Sequence, residues 1–207
     1  MSNIKKQLII IGGGEHARVV ADAAKKNWDI IGYVDNKKSS LLYLLLGTDK
    51  DLPEIVVQYP DARFIWGIGS NKLRSKLVEY LQPQAIKFGT VVHPSAIISE
   101  SAEIGQAVFV AAGSIIQPDA IIHSHSIINT GAIIEHDCEI KELTHIAPGV
   151  VIGGGCQIGC STLIGLGTRI KDHIIIGNKV IIGAGSVVID DIKDNSTVVG
   201  VPARYVK

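Results

Sequence analysis

Aromatic side chains make up only 5% of this 207-residue chain, and methionine occurs once. A core so short of rings and thioethers has to be filled by aliphatic groups. Three cysteines are too few for a disulfide framework at this length. The charge balance is empty as well, with 20 basic residues against 20 acidic ones. That excludes the broad positive footprint by which a nucleic acid is held. The longest apolar stretches, Leu8–Ile11 and Leu41–Leu46, fall far below the ~20 residues that span a bilayer. Met1–Lys6 is polar and carries no cleavable apolar segment. These absences lead to the expectation of a soluble, cytoplasmic protein without nucleic-acid partner or membrane insertion.

What the chain has instead is isoleucine, valine and glycine, arranged with two different periods. Residues 1–88 read as alternating strand and helix. Gln7–Ile11 is a buried-strand run ending in Gly12-Gly13-Gly14, and Ala17, Val19, Val20, Ala23 and Ala24 follow at helical spacing. Ile30–Val34 is a second strand, closed by Asp35-Asn36. Phe64–Trp66 is a third, followed by Gly67-Ile68-Gly69 and a helix over about 70–81 whose apolar face is Leu73, Leu77 and Leu81. This predicts a small α/β unit with a parallel, Rossmann-like sheet.

From residue 89 onward the period is six. Stepping from Val92 through Ile98, Ile104, Val110 and onward to Val188 meets isoleucine or valine at every one of seventeen positions. Even if half of all residues were aliphatic, chance would give this roughly once in 10⁵. Two places earlier the residue is small or β-branched, as at Ser114, Ala132, Cys138, Thr144 and Thr162. Glycine often follows the aliphatic residue directly, as at Gly153, Gly159 and Gly165. Such a repeat predicts an all-β, three-faced parallel β-helix over 89–207, about eighteen residues per coil, with aliphatic residues inward and glycine or asparagine supplying the turns. Cys138 and Cys156, eighteen apart, are expected to stack inside it as core filler.

Several residues carry chemistry. His136 stands between Glu135 and Asp137 just past an inward position, where an imidazole held by a carboxylate makes a general base. His145 lies one and a half coils further on, so within one chain it is neither stacked on His136 nor adjacent to it. In the first domain Gly12-x-Gly14-x-x-Ala17 follows a strand and opens a helix, and Asp35 ends the next strand. That is the pattern of a dinucleotide fingerprint. Only ~85 residues precede the hexads, too few for both halves of such a fold, so one nucleotide diphosphate is the expected ligand. Two other uses of a β-helix stay open on these residues. A metal enzyme would need paired histidine ligands at a spacing the seven histidines do not show, and no metal is expected. A non-catalytic, nucleotide-binding scaffold would make His136 dispensable.

The hexad array resembles the hexapeptide-repeat acyltransferases. Together with Gly12-Gly13-Gly14-Glu15-His16, Ile134–Cys138 and Gly200-Val201-Pro202-Ala203-Arg204, the whole chain looks like the NeuD/PglD-like sugar acetyltransferases. The resemblance implies a left-handed β-helix, assembly as a homotrimer, and acetyl-CoA as co-substrate. It implies N-acetylation of a nucleotide-linked amino sugar, a UDP-, dTDP- or GDP-4-amino-4,6-dideoxyhexose, for surface glycan biosynthesis. The alternative is O-acetylation of sialic acid or another sugar. By the same resemblance His136 is the base and Asp137 its support. His145, Leu166, Ala184 and Arg204 contact acetyl-CoA. Gly14, Glu15, His16, Asp35, Asn36, Gly69 and Asn129 contact the nucleotide sugar. Glu15 is a departure from the pattern, since a carboxylate beside a pyrophosphate is unfavourable unless it turns away.

Overall fold

The computed structural model describes residues 5–82 and 86–206. The first domain is a four-stranded parallel sheet. Strands β1 (Lys6–Ile11), β2 (Trp28–Val34), β3 (Leu45–Gly47) and β4 (Arg63–Trp66) lie in the order β3-β2-β1-β4. Helices α1 (Glu15–Ala24), α2 (Leu52–Gln58) and α3 (Asn71–Leu81) cover it. With Leu8, Ile9, Ile10 and Ile11 fully buried, β1 is a continuous apolar run, as a central parallel strand must be. The strand order reverses at β1, so the loops after β1, β2 and β4 gather at one end of the sheet, where such folds open a crevice.

This domain departs from the sequence reading in two places. There are four strands, not three: β3 hides inside the leucine run, whose uniform apolarity shows no alternation. It ends at Gly47, and the N–H of the next residue, Thr48, donates to Asp51 Oδ2 (2.7 Å) as the chain turns into a 3₁₀ segment (Asp49–Asp51) and then α2. The apolar face of α3 is also different. Leu77 and Leu81 are buried, but Leu73 is 44% exposed and Arg74 takes the innermost position at 0% exposure.

Beyond Thr90 the chain winds into a three-faced parallel β-helix built from two-residue strands. Its faces are sheets of eight, six and five strands, the coil strands pairing with those eighteen residues on, as Ile127 with His145 and Ile133 with Val151, and the eight-stranded face is finished by Thr197–Val199 and an antiparallel Arg204–Tyr205. The inward positions are sealed: Ile134, Ile140, Ile146, Ile152, Ile158 and Ile164 have no exposed surface. Beside them the buried hydroxyls are all satisfied. Ser126, Thr144 and Thr162 donate to the carbonyls of Lys141, Gly159 and Gly177, each fifteen residues ahead, at 2.8–3.0 Å. Cys138 and Cys156 occupy equivalent places, their thiols donating to Gly153 O and Lys171 O. The hydrogen bond with the neighbouring Cys156 thiol, and then burial, push the Cys138 thiol up, which makes it inert as a nucleophile.

The turns correct a second expectation. A left-handed backbone recurs every six residues, three places after the inward aliphatic. It is taken by Ala107, Asp119, His125, Asp137, Leu143, Ser161, His173 and Lys179 as well as by glycines such as Gly131 and Gly149. The glycines that directly follow the inward residue are not the turn residues. They are places of close approach: a Cβ on Gly159 would lie 2.4 Å from the backbone carbon of Gly177, and one on Gly153 would lie 2.6 Å from Asp172 N.

The two domains share a core. Leu8, Ala17 and Val20 pack in one buried cluster with Val91, Phe109 and Ile127 of the eight-stranded face. Trp66 Nε1 donates to His125 Nδ1 at 3.0 Å, and the Phe88 ring meets both of them. The small domain therefore sits on the eight-stranded face. The corner between the other two faces is left on the far side.

Candidate active site

At the crevice end of the sheet lies a cavity of about 390 Å³ lined by Gly14, Glu15, His16, Asp35, Asn36 and Gly69 among others. Six of the seven positions singled out for the nucleotide sugar thus meet in one space. Its shape follows from local chemistry. Gly12 and Gly13 crowd against Ile68 and Tyr33, leaving no room for side chains, whereas Gly14 opens onto free space at the start of α1. The Asp35 carboxylate fixes the loop by accepting from Gly13 N (2.7 Å) and Lys37 N (2.9 Å), and Asn36 Nδ2 donates to Asp49 Oδ2. The α1 N-terminus carries a glycine cap and no side-chain cap, so its first N–H groups face the cavity as an anion site would.

His16 sits in the first turn of α1 with its ring edge-on to Phe109, centroids 5.3 Å apart. Its Nε2 is buried without a hydrogen-bond partner among the described residues. Burial first, then the nearby His145 and Arg74, lowers its pKa to about 4, so the ring is neutral at pH 7. His145, 6.3 Å away, behaves alike: burial and Arg74 lower it to about 4. Both its nitrogens are engaged within the chain. Nδ1–H donates to Gly69 O (3.1 Å), and Nε2 accepts from Asn129 Nδ2 (3.1 Å), whose own Oδ1 accepts from Thr130 N. That chain of bonds sets one neutral tautomer. Asn129, the seventh substrate candidate, therefore stands beside His145 and outside the first cavity.

Gly69 and Ser70 also wall a second, larger groove of about 820 Å³ between α3 and the eight-stranded face, where His145, Leu163 and Ile181 form one side. Leu166 and Ala184 lie outside it. They are exposed one coil apart at the corner between the eight- and six-stranded faces, in the column that begins beside Asn129. Arg204 lies at the C-terminal end, its guanidinium 3.9 Å from Asp190.

His136 is elsewhere. It projects from the corner between the six- and five-stranded faces, and its Nδ1 is 2.7 Å from Asp137 Oδ2. The hydrogen bond to Asp137 holds its pKa above the usual 6.5. With Nδ1–H given to the carboxylate, Nε2 carries the free lone pair at an exposed position. One coil on, Gly154 makes room for the ring: a Cβ there would lie 2.7 Å from His136 Nε2. Sequence reasoning passed over Gly154, although its signal, a Gly153–Gly155 run eighteen residues after His136, was present. His123 and His125 do not converge: His123 Nε2 bonds Glu139 while His125 turns to Trp66.

A Rossmann-like sheet docked on a hexapeptide β-helix, with an exposed His–Asp pair on a bare corner, defines a hexapeptide-repeat acyltransferase. Comparison with known proteins agrees. Residues 7–81 match the family model described as the PglD N-terminal domain. A UDP-N-acetylbacillosamine N-acetyltransferase of Bacillus subtilis is 36% identical over 112 residues, a segment that spans 52% of this chain and only 52% of that relative. Among solved structures, a histidine-to-asparagine variant of perosamine N-acetyltransferase from Caulobacter crescentus, in complex with CoA and GDP-perosamine, superposes with a TM-score of 0.92. It is 33% identical, with 97% of each chain covered. The acetyltransferase domain of PglB from Neisseria gonorrhoeae gives 0.91 at 31% identity, covering 98% of this chain and 100% of that one. The chain belongs to the NeuD/PglD-like sugar acetyltransferases, enzymes built on a left-handed β-helix. Among the described residues no helix is long and apolar enough to cross a membrane.

Proposed function

We propose that this protein transfers acetyl from acetyl-CoA to the amino group of a nucleotide-linked amino sugar, a 4-amino-4,6-dideoxyhexose, in the cytoplasmic steps of surface glycan biosynthesis. Residues 1–88 hold the nucleotide and residues 89–207 carry out the transfer. The observation that carries this reading is the His136–Asp137 pair, a free Nε2 backed by a carboxylate at 2.7 Å. The cavity around Gly14, His16 and Asp35 supports it on the substrate side.

In this reading the amine lone pair attacks the thioester carbonyl directly. The C–N bond forms, the C–S bond breaks, and His136 Nε2 takes the proton that the amine sheds and passes it to the departing sulfur, so that CoA leaves as the thiol. Asp137 stabilises the imidazolium that results. No acyl-enzyme is needed, and the buried core cysteines are not placed to form one.

The reading requires more than one subunit. His136 lies on the corner opposite the face that carries the small domain, so the base of one chain cannot reach the cavity of the same chain. The six-stranded face next to that corner presents an outward row of Ile97, Ile115, Ile133 and Val151, apolar enough to pack against copies of itself. A homotrimer would then set His136 of one chain against His145, Asn129, Leu166 and Ala184 of the next, with acetyl-CoA between them. His136→Ala is expected to keep its fold and its CoA binding while losing about 10²-fold or more in turnover. Near-normal turnover would remove the base assignment.

A further inference from the structure

Among the described residues Arg74 is the one arginine buried without exposed surface, and no carboxylate lies among its partners there. All five of its contacts are neutral oxygens. Nη1 donates to the carbonyls of Ile68 (3.1 Å) and Gly69 (3.0 Å). Nη2 donates to Asn71 Oδ1 (2.8 Å) and Leu143 O (3.0 Å), and Nε donates to His125 O (3.3 Å). These oxygens belong to separate parts of the molecule. Ile68 and Gly69 form the loop after β4 that walls the small cavity. His125 and Leu143 are left-handed corner residues of successive coils, and Asn71 Nδ2 extends the series by donating to the carbonyl of the third, Ser161 (3.2 Å). The side chain thus staples the cavity loop to two stacked corners of the β-helix, and through Asn71 to a third, and Gly69 O is shared with His145, whose Nδ1 also donates to it.

Burying a cation that has no counter-ion is costly, and an apolar residue of like volume would hold two domains together as well or better. What an apolar residue cannot do is fix several carbonyls at defined angles, as a planar fork with five N–H donors can. We propose that Arg74 is a positioning residue that sets the loop Ile68–Gly69, and through Gly69 the ring of His145, in the place where the nucleotide-linked substrate is held. This rests on the function proposed above, and it adds a residue to the site that touches neither sugar nor acyl group.

The test uses the full chain with Arg74→Met, which keeps the volume, and Arg74→Lys, which keeps the charge but cannot span the five oxygens. Three quantities are measured below the melting temperature: calorimetric affinity for UDP, dTDP and GDP, KM for the accepted nucleotide amino sugar, and the pH dependence of kcat. Both variants are expected to bind the nucleotide about tenfold more weakly and to raise the sugar KM by a similar factor. The pH profile of kcat should stay in place, because the pKa of His136 is set by its own hydrogen bond to Asp137, which Arg74 does not touch. A merely structural arginine would lower the melting temperature and leave affinity and KM unchanged, and that result would overturn the proposal. If Arg74→Met does not fold, Arg74→Lys decides by the same two outcomes. Failure of the wild-type protein to bind any of the three nucleotides would overturn the functional reading and this inference with it. Equal binding by wild type and variants would overturn this inference alone.

Discussion

Asp137 does two jobs with one residue. It occupies a left-handed turn position, φ +57°, which aspartate tolerates better than most side chains. From there its carboxylate reaches back to the ring of its own neighbour. The pKa of His136 is raised chiefly by that hydrogen bond, so the proposed base is neutral only above the raised value, and kcat/KM should climb with pH through it. Asp137→Asn keeps an acceptor but removes the charge. The acidic limb should therefore move to lower pH while the plateau falls about tenfold or more. A pH–rate profile on the two proteins checks this, and a limb that stayed or moved upward would contradict it. The other two histidines of the site, His16 and His145, are held neutral by burial, which suits them to donate or accept hydrogen bonds and not to carry protons near pH 7.

At the scale of the repeating coil, two kinds of glycine serve different ends. Gly131 supplies a left-handed turn with nothing within 4 Å of where its Cβ would be. Gly159 has ordinary backbone angles but lies against the next coil. Gly131→Ala should cost about 1 kcal/mol, the price of one left-handed alanine. Gly159→Ala has to push a backbone aside and should cost roughly 3 kcal/mol; urea unfolding of both variants gives the comparison, and equal losses would deny the distinction. This also shows what could be read in advance. The inward isoleucines announce themselves because a sealed core admits few residue types. The left-handed corner does not, since Ala107, Leu143, His173 and Lys179 all occupy it. Strand β3 was hidden by a leucine run with no alternation, and the inward Arg74 by a helical period that pointed to Leu73. Gly14 and Asp35 stood out because phosphate-type loops need glycine and a strand-end acid, and Glu15, His16, Asn36 and Gly69 only through the family resemblance, whereas Gly154 and Arg74 act through packing that only the fold brings together.

The whole molecule divides the work between opposite sides of one prism. A chain carries a cavity on its eight-stranded face and the proposed base on the far corner, so the proposed reaction needs a neighbouring copy to complete each site. Two inactive variants should therefore complement each other: His136→Ala lacks the base, and Asp35→Ala lacks the loop anchor of the cavity. Co-refolded in equal amounts as mixed trimers, they should regain up to roughly a quarter of wild-type activity, the share of sites that draw both intact halves. No recovery, with mixing verified by mass, would place the site within one chain. The central claim, acetyl transfer to a nucleotide-linked amine, is tested most directly by thiol release from acetyl-CoA. Purified protein would be supplied with UDP-, dTDP- and GDP-linked 4-amino sugars, free sialic acid and a no-acceptor control. Rapid release with one of the nucleotide amino sugars, and none with sialic acid, is the predicted result. Release with sialic acid alone, or with no acceptor in the panel, would contradict it.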